Sequence, residues 1–219
     1  MFHQYNEYKY RHRRKLLLKE LREKGIQSEK VLKAVESVPR HEFIDTGLSD
    51  RAYEDSALPI DMGQTISQPY TVARQTELLD VSEGERILEI GTGSGYQCAV
   101  LCEMGAQVYT IERHKLLYER ARDILTNIGY RAMYKLGDGT LGWNAYAPYD
   151  GIIVTAGAPV VPEALKQQLA DGGRLVIPVG DETKQAMHRI VRQGDEFLEE
   201  IYNDFKFVPL IGKEGWRGE

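Results

Sequence analysis

The chain predicts an α/β fold: a doubly wound, mostly parallel sheet with a C-terminal antiparallel hairpin and a helical N-terminal extension. Three observations carry this. From residue 85 onward, short apolar runs of strand length alternate with segments of helical periodicity, the pattern of a parallel sheet covered by helices on both faces. The first 40 residues read as two helices. Near the end, Gln193-Gly194-Asp195 separates two strand-like runs, which is a hairpin signal.

Taken in order, Leu17, Leu18 and Leu21 repeat at helical spacing among charged residues, and Gly25 stops that helix. Ser28 caps a second helix that turns Val31, Leu32, Val35 and Val38 inward and ends at Pro39. Residues 40–66 read as irregular, an uncommon loop length that is often functional when ordered. Pro69 opens a third helix to Leu79. Strands follow at 86–90, 107–112, 132–136, 149–155 and 174–179, with helices at 96–104, 114–127 and 162–169 between them. Asp171-Gly172-Gly173 reads as the turn into the fifth strand, and 185–192 with 196–203 form the hairpin. The whole is a Rossmann-like single domain over 1–219, in which 1–80 supplies helices and a substrate-side loop and 81–219 the ligand-binding core.

Composition narrows the function. The chain has 219 residues, 28 Lys/Arg and 33 Asp/Glu, a net charge of −5, which argues against nucleic acid binding by the whole surface. Residues 1–40 hold 11 basic and 5 acidic side chains, read as the solvated face of an amphipathic helix. Cys98 and Cys102 are too few for a disulfide framework and have no metal-ligand spacing, so they read as small buried side chains, and no metal is expected. No apolar run approaches the ~20 residues needed to span a bilayer, and the N-terminus lacks a secretory pattern; a cytoplasmic protein without membrane partners is expected.

The sharpest motif is the turn Gly91-Thr92-Gly93-Ser94-Gly95, between a strand and a helix. Glycines there allow a tight turn and a close ligand approach. The spacing is G-x-G-x-G, one residue short of the dinucleotide fingerprint. Glu112 ends the second strand 21 residues after Gly91, where an acid accepts the hydroxyls of a ribose and disfavours a 2′-phosphate. Glu89, inside the first strand, needs a polar partner if buried: a cationic ligand or the amides of the turn. Asp138, in Gly137-Asp138-Gly139, follows the third strand. Three acids at neighbouring strand ends mark the edge where a doubly wound fold places its ligand.

These features resemble the S-adenosylmethionine-binding core of class I methyltransferases, whose ligand has a ribose and a sulfonium but no pyrophosphate. Segments outside the core resemble one family, the protein-L-isoaspartate O-methyltransferases. They are Ala57-Leu58-Pro59-Ile60-Asp61-Met62-Gly63-Gln64-Thr65-Ile66-Ser67-Gln68-Pro69-Tyr70, Val38-Pro39-Arg40-His41-Glu42-Phe43, Val154-Thr155-Ala156-Gly157-Ala158-Pro159, Gly172-Gly173-Arg174-Leu175-Val176-Ile177-Pro178-Val179-Gly180 and Phe207-Val208-Pro209-Leu210-Ile211-Gly212. They cover about 16–216 in the family's order. Gly157 stands where an alanine is usual, and Gln75 where an apolar residue is expected, which implies a less buried helical face.

The resemblance implies methyl transfer from S-adenosyl-L-methionine to the free carboxylate of L-isoaspartyl residues in damaged peptides and proteins, leaving S-adenosyl-L-homocysteine. It implies a cofactor site of Ile66, Glu89, Gly91, Thr92, Gly93, Ser94, Gly95, Glu112, Asp138 and Gly139. Ser67 takes the catalytic position, and Gln64, Thr65, Tyr70, Val208, Pro209 and Leu210 the substrate side, the last three offering backbone groups to an extended peptide. The alternative reading of Ser67 is a cap for the helix that begins at Pro69. A methyltransferase for small molecules would share the glycine turn and Glu112 but has no need of the 64–70 segment. A binding module without turnover would tolerate loss of Ser67. The histidines at 3, 12, 41, 114 and 188 read as surface or packing residues, and Trp143 and Trp216 as anchors.

Overall fold

The computed structural model describes residues 2–217, with the side chains of 10–202 and 205–217; His3 lies outside those described side chains. Helix α1 (Phe2–Glu23) stops where Gly25 turns left-handed. There the amides of Gly25 and Ile26 reach back to the carbonyls of Arg22 and Leu21, both at 3.0 Å. Helix α2 (Glu29–Ser37) is capped by Ser28, whose hydroxyl accepts from the Val31 amide at 3.4 Å, and it buries Val31, Leu32 and Val35. The stretch read as irregular holds three 3-10 turns and a small antiparallel hairpin of β1 (Leu58–Pro59) and β2 (Thr65–Ile66). Helix α3 (Pro69–Leu79) follows.

The core then alternates as the periodicity requires: β3 (Arg86–Ile90), α4 (Tyr96–Glu103), β4 (Gln107–Glu112), α5 (Lys115–Asn127), β5 (Met133–Leu136), β6 (Tyr149–Val154) and α6 (Glu163–Gln167). Strands β7 (Leu169–Gly180), β8 (Gln185–Gln193) and β9 (Glu196–Phe205) complete one sheet in the order β5-β4-β3-β6-β7-β8-β9, parallel up to β7 and antiparallel beyond it. The winding reverses between β3 and β6, so their carboxyl ends diverge around a crevice. One correction concerns 171–173, which belong to β7 rather than to a turn. Gly172 adopts φ +75° and the pairing with β6 shifts register between Tyr149 and Gly151, so the glycines form a bulge instead of ending the strand.

Alternate side chains of the inner strands feed two layers. Ile87, Ile153 and Val176 join the core under the N-terminal helices; Leu88, Ile90, Ile152 and Leu175 join the other with Leu165 and Leu169. Gln75 overturns the expectation of a less buried face, being 1% exposed and donating to the Val154 carbonyl at 2.9 Å. That bond compensates the desolvated amide. Cys98 is buried as expected, whereas Cys102 is half-buried and donates to the Arg131 carbonyl at 3.5 Å.

Candidate active site

Three cavities meet at the carboxyl edge of β3 and β6. The first lies over Ile90, Gly91, Gly93, Glu112, Gly139 and Leu117. The second lies over Ser67, Tyr70, Phe205 and Lys206. A third runs beneath Ile66 and Ser67 to the glycine turn. Thr65 and Thr155 line all three.

The glycine turn is shaped by positive φ at Gly91 (+94°), Gly93 (+53°) and Gly95 (+91°). A Cβ at Gly91 would lie 2.5 Å from Thr155 Oγ1, and one at Gly95 would press on Leu125 and Ala121. Glu112 holds the turn in place. Its Oε2 accepts from the Gly93 amide at 2.9 Å and its Oε1 from the His114 amide at 2.8 Å. Each carboxylate oxygen keeps a second lone pair, and Glu112 lines the first cavity.

The other two acids play different parts. Glu89 is fully buried and does not line the cavities described, and the turn amides do not supply its partner. Instead Thr110, opposite it across β3 and β4, donates to its Oε2 at 2.5 Å. Thr110 in turn shares a 2.6 Å hydrogen bond with Thr92 of the turn. Burial pushes the Glu89 carboxyl up to about 8, against the opposing Thr110 bond. Asp138 anchors the C-terminal segment: Oδ1 accepts from the Thr140 amide and hydroxyl at 2.9 and 2.7 Å, Oδ2 from the Lys213 amide at 2.8 Å. Burial alone would raise its pKa, but these donors outweigh burial and hold it below the usual value. Its neighbour Gly139 does line the first cavity, packed so closely that a Cβ would meet Ile90 at 2.5 Å. Ser94 accepts from the Tyr96 amide at 3.2 Å, and Thr92 and Ser94 line the third cavity.

Ser67 is not the cap of α3. Gln68 holds that position without a side-chain bond, and Asp55 does the capping from a distance, accepting from the Tyr70 amide at 2.7 Å. Asp55 also pairs with Lys24 of the segment after α1 at 2.6 Å. Ser67 therefore sits half-buried on the wall of the second and third cavities. Gln64, Pro209 and Leu210 line the first cavity and Tyr70 the second, while Val208 lines both. Of the backbone groups that 208–210 was expected to offer a peptide, Gly157 takes two. The Gly157 amide donates to the Val208 carbonyl and the Leu210 amide to the Gly157 carbonyl, both at 2.7 Å.

Sequence reasoning missed Thr155 as a site residue. Its hydroxyl faces the carbonyls of Gly91 and Ile90 at 2.6 and 3.0 Å, which tie β6 to the turn. Only its place in the 154–159 segment pointed to it. His114, expected at a surface or in packing, lines the first cavity; His41 stacks on Tyr10 at 4.1 Å and His188 pairs with Glu199 at 2.6 Å. Trp216 donates to the Gly157 carbonyl at 3.0 Å, a loop anchor as expected.

A crevice at the reversal point of a parallel sheet, a glycine turn without pyrophosphate spacing and an acid ending the next strand are the fold and site of S-adenosylmethionine-dependent methyltransferases. The chain belongs to the protein-L-isoaspartate(D-aspartate) O-methyltransferase (PCMT) family, whose model matches residues 12–215. It is 54% identical over 217 residues to the protein-L-isoaspartate O-methyltransferase of Salinibacter ruber, covering 94% of each chain. It is 53% identical to that of Cytophaga hutchinsonii, covering 98% of this chain and 97% of the relative. Among solved structures, a protein-L-isoaspartate O-methyltransferase superposes with a TM-score of 0.83 at 29% identity, covering 92% of this chain and 67% of that one. A Plasmodium falciparum structure assigned to the same family, in complex with S-adenosyl-L-homocysteine, superposes with a TM-score of 0.80 at 25% identity over 90% and 97% of the two chains.

Proposed function

We propose that this chain transfers the methyl group of S-adenosyl-L-methionine to the free carboxylate of L-isoaspartyl residues in damaged peptides and proteins, with Ser67 orienting that carboxylate. The carrying observation is the meeting of the cofactor-side and Ser67-side cavities at Thr65 and Thr155. The first cavity fits a nucleoside ligand. Its floor has no Cβ at Gly91, Gly93 or Gly139, and Glu112 has lone pairs left for ribose hydroxyls.

When bound, the cofactor supplies an electrophilic methyl and departs as a neutral thioether, so no general acid is needed. The acceptor carboxylate, with an ordinary pKa near ~4, is already ionised, so no general base is needed. What the protein does is position. Ser67 donates its hydroxyl to one carboxylate oxygen. Thr65 and Thr155 line the passage to the cofactor side. Positioning of this kind is worth about 7–11 kcal/mol in well-oriented reactions. The methyl ester then closes as the following backbone nitrogen attacks it and expels methanol, and hydrolysis of the succinimide returns some normal aspartate.

No described helix is long and apolar enough to cross a membrane. A cytoplasmic setting and peptide rather than nucleic acid partners belong to the same reading, in keeping with two free thiols and a net charge of −5. The test is transfer of labelled methyl to two peptides that differ only in L-isoaspartate or L-aspartate at one position. Base-labile label on the isoaspartyl peptide alone is expected. No label on either, with S-adenosyl-L-homocysteine still bound, would overturn the reading.

A further inference from the structure

We infer that Lys206 selects substrates carrying an acidic side chain beside the isoaspartyl residue, an inference that rests on the reading of the second cavity as the substrate side. Lys206 is the one charged side chain among the residues that line this cavity; the rest are aromatic, small or neutral polar. It is exposed, and it forms no ion pair among the described residues. Asp55, which caps the helix start at Tyr70 of this cavity, keeps its side chain 1% exposed, held by Lys24 and by the Tyr70 amide. The backbone next to Lys206 is fixed, since the Phe207 amide donates to Gln185 Oε1 at 2.8 Å and Phe207 is buried. A solvated ammonium on a flexible stem therefore projects from a fixed base at the wall of the groove.

Its place in the groove says which anion it reads. The acceptor carboxylate has to reach the junction of the three cavities, at Thr65 and Thr155. Lys206 lines the second cavity and neither of the other two. It stands away from the transfer point, where a neighbouring residue of the peptide passes. A single solvent-exposed charge pair there favours an acidic over a basic neighbour by about fivefold at low salt, and less as salt screens it.

The experiment compares kcat/KM for isoaspartyl peptides that differ at one flanking position, Glu, Gln or Lys, before or after the isoaspartyl residue. For the unaltered chain a Glu-over-Lys preference of about fivefold at one flank is expected, shrinking at high salt. Lys206→Gln should bring that ratio to near one, and Lys206→Glu should invert it. A ratio that persists in Lys206→Gln would overturn the proposal. So would an equal fall for every peptide, because Lys206 would then be meeting the acceptor carboxylate itself. If the unaltered chain methylates no isoaspartyl peptide at all, the functional reading fails rather than the role of Lys206 alone.

Discussion

The carboxylate of Glu112 accepts the Gly93 amide at 2.9 Å, so the residue that ends β4 fixes the turn that leaves β3. This acid has two tasks, shaping the floor of the cofactor cavity and presenting lone pairs to a ribose. Glu112→Ala removes both. The amides of Gly93 and His114 lose a charged acceptor, a kind of bond worth about 1.5–3 kcal/mol. Titration calorimetry should show affinity for S-adenosyl-L-homocysteine falling by tenfold or more. An unchanged dissociation constant would remove Glu112 from the site.

Ser67 makes a different prediction because the structure frees it from capping. Asp55 satisfies the Tyr70 amide, so Ser67→Ala should leave the melting temperature within about a degree, short of the ~1 kcal/mol that losing a helix cap costs. Turnover of isoaspartyl peptide should drop at least tenfold, while S-adenosyl-L-homocysteine binds as before. Parallel losses of stability and turnover would mean that the serine serves the fold instead of the carboxylate.

What could be read from the sequence was local. Ser28 as a cap, Pro69 as a first turn and the glycine turn followed by Glu112 all depend on neighbours along the chain, and each recurs in the structure. What could not be read depends on register. Thr155 meets Gly91 because β6 pairs with β3 through Ile90 and Val154. Glu89 meets Thr110 across β4, and Gln75 finds the Val154 carbonyl 79 residues away. A polar residue in a buried position looks like a surface residue until its distant partner is known. Two backbone groups of 208–210 looked available for a peptide for the same reason, since their pairing with Gly157 spans half a hundred residues.

The buried Glu89 gives the protein a pH dependence of definite sign. Its folded pKa of about 8 stands above the ordinary 4.5, so the folded state holds a proton that the unfolded chain releases. Below pH 4.5 both states are protonated and the residue is neutral in its effect. Between 4.5 and 8 its burial becomes steadily more costly, and above 8 the cost is constant. Glu89→Gln keeps an acceptor for Thr110 and removes the titration. The melting temperature of the variant relative to the native chain should rise across that window, as followed by thermal unfolding at a series of pH values. A difference that does not change with pH would show that the carboxyl is ionised in the folded state.

Gly91 and Thr155 permit a test that separates torsion from contact. An alanine at 91 meets two obstacles: φ of +94°, which L-residues avoid at about 1–2 kcal/mol, and a Cβ placed 2.5 Å from Thr155 Oγ1. Removing the hydroxyl by Thr155→Ala clears the second obstacle, because the nearest remaining side-chain atom, the β-carbon, lies at 3.8 Å, an ordinary contact. It leaves the first untouched. In a double-mutant cycle read by denaturant unfolding, Gly91→Ala should cost at least about 1 kcal/mol less in the Thr155→Ala background than in the native one, while remaining destabilising in both. Equal costs in the two backgrounds would mean that the turn yields to make room for the β-carbon and that Thr155 does not set its shape.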